Sequence, residues 1–116
     1  MSLGPPPVPG LDAPRALAAV AIGAVLLDVR EQNEWDAGHA PQALHLPLVH
    51  VAASAASLPG GQPILVVCRS GRRSALAVTQ LRHAGLDAVN VEGGMLAWLD
   101  AGGPVVAAAG MAPAIN

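Results

Sequence analysis

Pro63-Ile64-Leu65-Val66-Val67-Cys68-Arg69-Ser70-Gly71-Arg72-Arg73-Ser74 is the stretch from which the fold is read. Residues 63–67 are apolar and rich in branched side chains, the pattern of a strand covered on both faces in a parallel sheet. A polar loop of six residues, Cys68 through Arg73, follows directly. Ser74 then reads as a helix N-cap, and Ala77, Val78, Leu81 and Ala84 recur at helical spacing until Gly85 stops the run. The unit predicted here is strand, loop, helix.

The same alternation extends in both directions. Toward the N-terminus, residues 24–29 form a second short apolar run that suits a buried parallel strand, and Asp12 caps an Ala-rich helix that tolerates Pro14 and ends at Gly23. Residues 31–37 read as a short polar helix, Gly38-His39-Ala40-Pro41 as a turn, 43–46 as a brief strand, and 48–58 as a helix closed by Pro59-Gly60-Gly61. Toward the C-terminus, 88–91 is a strand and 95–101 a helix. Residues 1–10 are rich in Pro and Gly and are expected to be flexible, the folded domain is taken as 11–104, and 105–116 reads as a tail. Strands alternating with helices at these lengths predict an α/β fold of three layers, a mainly parallel central sheet flanked by helices.

Composition excludes several classes of function. A chain of 116 residues is the size of one domain. Its residues are 53% hydrophobic and 12% charged, which rules out a disordered chain. The long uncharged stretch 37–68 is broken by Pro41, Pro47, Pro59, Pro63 and three histidines, so no membrane span is expected. Net charge is -2 and no lysine is present, so no nucleic-acid face is expected either. One cysteine cannot form an internal disulfide, and the start of the chain has no charged segment leading into an apolar signal core, so the expected compartment is the cytoplasm.

Chemistry concentrates at Cys68. In open parallel sheets ligands bind beyond the carboxyl ends of the strands, where Cys68 follows the most apolar strand. The backbone N–H groups of Cys68-Arg69-Ser70-Gly71-Arg72-Arg73 can converge on one centre, with the next helix's N-terminus adding positive potential. That field, reinforced by Arg69, Arg72 and Arg73, favours a nucleophilic thiolate. A lone cysteine at a strand end is often just a small buried side chain, but its basic, glycine-containing surroundings favour the reactive reading. The other candidates carry less: Asp28 is better read as pairing with Arg30 than as a catalytic group. His39, His45 and His50 with Cys68 match no zinc spacing, so no metal is expected. Trp35 and Trp98 are read as packing, and Gly93-Gly94 as a close backbone approach.

At these residues the chain resembles the rhodanese (sulfurtransferase) family in its single-domain form, over about residues 11–104. The resemblance lies in Leu26-Leu27-Asp28-Val29-Arg30, Glu31 to Glu34, the Gly38-His39-Ala40-Pro41 turn with Leu46-Pro47-Leu48, the loop Cys68 to Ser74, and Glu92-Gly93-Gly94-Met95-Leu96-Ala97-Trp98. Ala40 and Gln42 depart from the family's usual turn, Gly-His-Ile-Pro-Gly-Ala. The resemblance implies that Cys68 attacks the outer sulfur of a small anionic donor such as thiosulfate and carries it as a persulfide. A thiol or cyanide, or a protein in a sulfur relay, then accepts it, with no cofactor. It implies donor binding by Arg69, Ser70, Gly71, Arg72 and Arg73, and structural support from Asp28, Arg30, His39 and Ser74. The pattern Cys-Arg-x-Gly-x-Arg is similar to the thiosulfate-using branch. The alternatives are a non-catalytic partner-binding or sulfur-relay module, and a cysteine phosphatase or arsenate reductase. The phosphatase motif Cys-x5-Arg would place arginine where this chain has Ser74.

Overall fold

The computed structural model describes residues 7–116, so residues 1–6 of the segment expected to be flexible lie outside the described residues. The elements follow in the order β1 (Gly10–Leu11), α1 (Ala13–Ala21), β2 (Val25–Asp28), α2 (Gln32–Ala37), β3 (Leu44–His45), α3 (Leu48–Ser54), β4 (Ile64–Val67), α4 (Arg72–His83), β5 (Ala88–Val91) and α5 (Gly94–Asp100). A 3-10 turn at Ala55–Ser57 extends α3. The five strands form one sheet in the order β1-β5-β4-β2-β3, and every neighbouring pair is parallel.

Side chains along a strand point alternately to opposite faces, and here the alternation divides the core in two. Leu27, Val29, Ile64, Val66 and Cys68 face α3 and α4, where Val51, Ala77, Val78 and Leu81 are buried. Leu26, Leu65, Val67 and Val91 face α1 and α5, where Ala16, Val20, Met95 and Trp98 close the other layer. The predicted three-layer α/β fold is therefore the observed one. Asp12 caps α1 as read, its carboxylate accepting the Arg15 N–H at 2.9 Å.

Three features depart from the sequence reading. The two-residue strand β1, hidden in a Pro- and Gly-rich segment, pairs with β5 at the sheet edge. Ser74 is not the cap of α4: the cap is Gly71 in the left-handed region at φ 110°, so the loop proper is shorter than six residues and Ser74 lies buried in the helix's first turn. The stretch 105–116 is held to the domain by backbone hydrogen bonds. His39 and Val106 exchange two of them, and the N–H groups of Ala108 and Ala114 donate to the carbonyls of Asp36 and Ala37 at 3.0 and 2.9 Å. Among the described residues no helix is long and apolar enough to cross a membrane.

Candidate active site

The chain leaves β2 toward β3 on one side and returns to β4 on the other, so the topological switch point, where open parallel sheets bind ligands, lies where the carboxyl ends of β2 and β4 run side by side. Cys68 follows β4 directly. The loop after it is held from below by α5. The N–H of Met95 donates to the Cys68 carbonyl at 2.8 Å, and that of Leu96 to the Arg69 carbonyl at 3.2 Å. In a trans peptide the N–H points opposite to the C=O, so drawing these two carbonyls toward α5 turns the amides of Arg69 and Ser70 the other way. The approach depends on Gly94, at φ 61°, where an added Cβ would overlap the carbonyls of Cys68 and Arg69. This is the close contact read from Gly93-Gly94.

The Cys68 side chain is buried, with 1% of its surface exposed. Its Sγ accepts the Gly71 N–H at 3.1 Å and lies 3.2 Å from the Ser74 hydroxyl. Burial is the largest influence on this thiol and pushes its pKa up. The Ser74 hydroxyl and the amides of Ser74, Gly71 and Ser70 act in the opposite sense and together outweigh it, so the thiol is held below its ordinary value. Ser74 is itself fixed by Asn90, whose Oδ1 lies 2.6 Å from the serine Oγ and whose Nδ2 donates to the Gly71 carbonyl at 3.0 Å.

The three loop arginines differ in what they touch, and Arg73 also interacts with the charge on Cys68. Arg73 forms a two-pronged pair with Glu34 on α2, at 2.7 and 2.9 Å, and Arg69 donates to the Asn116 carbonyl at 2.9 Å. Among the described residues the hydrogen bonds to Sγ therefore come from the loop amide and Ser74, and none from a guanidinium. The pair with Arg73 holds the Glu34 carboxyl below the usual range, against the upward push of partial burial. Arg69 and Ser70 on the loop and Arg72 at the start of α4 are exposed.

Asp28 and Arg30, both fully buried, pair at the end of β2, with Nη2 to Oδ2 at 2.7 Å and Nε to Oδ1 at 3.0 Å. Arg30 Nη2 also donates to the Gly38 carbonyl at 2.7 Å, which ties the β2 end to the turn beyond α2. His39 stacks on Trp35 with ring centroids 3.6 Å apart and donates from Nδ1 to the Trp35 carbonyl at 2.7 Å. His45 covers the indole as well, with ring centroids 4.6 Å apart, and donates to the Arg30 carbonyl at 2.8 Å. These groups bond to one another and to backbone carbonyls, and none of them bonds to Sγ.

The model of the rhodanese-like domain matches residues 12–101. The chain belongs to that family. A sulfurtransferase of Allochromatium vinosum is 36% identical over 87 residues, covering 74% of this chain and 81% of its own. A Bacillus subtilis protein named "Putative sulfur carrier protein YrkF" is 39% identical over 74 residues, covering 63% of this chain and 40% of that protein. The crystal structure of a rhodanese-related protein from Thermoplasma volcanium superposes with a TM-score of 0.79 at 32% identity, covering 84% of this chain and 97% of that one. The chain spans less than half the length of several curated relatives it matches.

Two contributors to the site of this rhodanese-like domain were not read from the sequence. Asn90 passed as one residue of a strand, although a lone polar side chain in the four-residue run Ala88–Val91 was a usable signal. Glu34 stood only within the family motif, and its role rests on a contact 39 positions away in sequence. The electrostatics give a direct test in this rhodanese-like domain. The rate of alkylation of Cys68 by iodoacetamide should rise with pH to an inflection below the free-thiol value of about 8.5. An inflection at or above that value would show that burial outweighs the donors.

Proposed function

We propose that this rhodanese-like domain is a thiosulfate sulfurtransferase working through a persulfide on Cys68. The Cys68 thiolate attacks the outer sulfur of thiosulfate. The new Sγ–S bond forms as the donor's S–S bond breaks, and sulfite leaves with the electron pair. The negative charge then rests on the transferred sulfur, close to the amides of Ser70 and Gly71. A thiol or cyanide attacks that sulfur, takes it, and restores the thiolate. The observation that carries this reading is the buried Sγ against the Gly71 amide and Ser74 hydroxyl, which acidify it without neutralising it.

Donor oxygens are assigned to the exposed guanidinium groups of Arg69 and Arg72, with Arg73 contributing if it exchanges Glu34 for the donor. A protein thiol as acceptor is supported by the relative named as a sulfur carrier. The thiol chemistry needs a reducing compartment, and the cytoplasm is the one proposed. Phosphatase chemistry is disfavoured because the sixth residue after Cys68 is Ser74, bonded inward to Asn90, where an arginine clamp would be required.

The test is thiocyanate formation from thiosulfate and cyanide. The wild-type protein should form it readily while leaving an aryl phosphate intact, and Cys68→Ser should form none. Arg72→Ala should raise the thiosulfate KM about tenfold, the loss of one charge-assisted contact of about 1.5 kcal/mol. Thiocyanate from Cys68→Ser, or aryl phosphate turnover comparable to sulfur transfer, would remove this reading.

A further inference from the structure

Ser74 has one hydroxyl proton and two neighbours that can accept it. The Asn90 carboxamide has a fixed sense: the Gly71 carbonyl is an acceptor only, so the amide NH2 must face it at 3.0 Å and Oδ1 must face Ser74. Two oxygens 2.6 Å apart, one of them a carbonyl, need a proton between them, and only Ser74 can supply it. Serine then presents a lone pair to Sγ at 3.2 Å, an arrangement that suits a thiol donating S–H. A thiolate has no proton to give, and the hydroxyl hydrogen has to rotate to Sγ. The rotation leaves Asn90 Oδ1 without its partner in a buried position.

We propose that Asn90 is a positioning residue that competes with the Cys68 thiolate for the single hydroxyl proton of Ser74. The proton lies toward Asn90 when Cys68 is a thiol and toward Sγ when it is a thiolate, with no heavy atom moving. Asn90 thereby restrains thiolate formation and keeps the nucleophile less acidic than the loop alone would make it. A consequence rests on the sulfur-transfer reading. In the persulfide the charge has moved off Sγ, so the proton returns to Asn90 and the loaded state regains the hydrogen bond that the free thiolate gave up.

The charged groups around Sγ stay constant in the test. They are Arg73 on α4 with Glu34 on α2 and Glu31 before it, Asp28 and Arg30 at the end of β2, and Arg69 and Arg72 beside the loop. Alkylation of Cys68 by iodoacetamide is followed against pH in the wild type, Ser74→Ala, Asn90→Leu and the double variant. Ser74→Ala should raise the inflection by about one pH unit, the worth of one hydrogen bond to a charged group, and Asn90→Leu should lower it by about as much. A purely structural Asn90 would give the opposite sign, because a loosened loop stabilises the thiolate less. The double variant should match Ser74→Ala. An inflection in Asn90→Leu that stays or rises, or a shift that persists without the serine hydroxyl, overturns the proposal. The wild type alone provides a second measurement, since Cys68 is the single cysteine. Below the inflection its infrared S–H band should lie at lower wavenumber than in the unfolded protein, and a band at the unfolded position overturns the proposal equally. No sulfur donor enters either experiment, so a failure of sulfur transfer would leave both outcomes readable.

Discussion

Arg30→Ala should lower the stability of the domain by about 3–5 kcal/mol, the cost of leaving one member of a buried ion pair without its partner. The Asp28 carboxylate is fully buried and takes donors from Arg30 Nε, Nη2 and the Arg30 backbone N–H. Without the guanidinium it keeps a single amide, and the Gly38 carbonyl loses its donor too. Total stabilities of about 5–15 kcal/mol make this a large fraction of the whole. Urea unfolding measures it as a fall in midpoint at unchanged slope. An apolar double replacement, Asp28→Leu with Arg30→Met, should cost clearly less than the single change, because no charge is orphaned. A loss under about 1 kcal/mol in Arg30→Ala would mean that water reaches the carboxylate and that the pair is not the staple described.

Gly94→Ala should disable the site while leaving most of the fold in place. The residue's φ of 61° is strained for any side chain, at about 1–3 kcal/mol, and the added methyl would lie 2.5 Å from the Cys68 carbonyl oxygen. Relief requires the loop to lift from α5, which breaks the Met95 and Leu96 hydrogen bonds and turns the amides away from Sγ. A displacement of about 1 Å at a reacting centre costs on the order of 100-fold in rate, so kcat/KM for thiosulfate should fall by at least that factor. The alkylation inflection should rise with it. A Gly94→Ala protein that turns over at the wild-type rate would show that α5 does not set the loop's orientation.

The fold was legible because its signals are local and repeated. Runs such as 24–29 and 63–67 are too apolar and too short for anything but buried strands, and Gly23 and Gly85 mark where helices stop. The β5 strand lies at Ala88–Val91, where the pattern put it. The candidate site was placed at Cys68 on the same kind of signal, since that residue follows the most apolar strand. What escaped the sequence depends on contacts between distant elements. Ser74 looked like a cap because serine before an apolar helical run usually is one. Only Gly71's left-handed conformation, which starts the helix earlier, frees the hydroxyl for Sγ and Asn90. Arg69, Arg72 and Arg73 were read as a common field around the thiol, and Arg73 does interact with the Cys68 charge, but spacing says nothing of side-chain direction. Arg73 in fact crosses to Glu34, which also accepts the Glu31 N–H that begins α2.

The central claim is that Cys68 carries a sulfur atom, and intact-mass measurement tests it most directly. The protein is incubated with thiosulfate, freed of excess donor, and weighed before and after cyanide. The wild type should gain the mass of one sulfur atom and lose it to cyanide, and Cys68→Ser should show neither change. A wild-type mass that thiosulfate leaves unaltered, or a sulfur adduct that Cys68→Ser still acquires, would contradict the account.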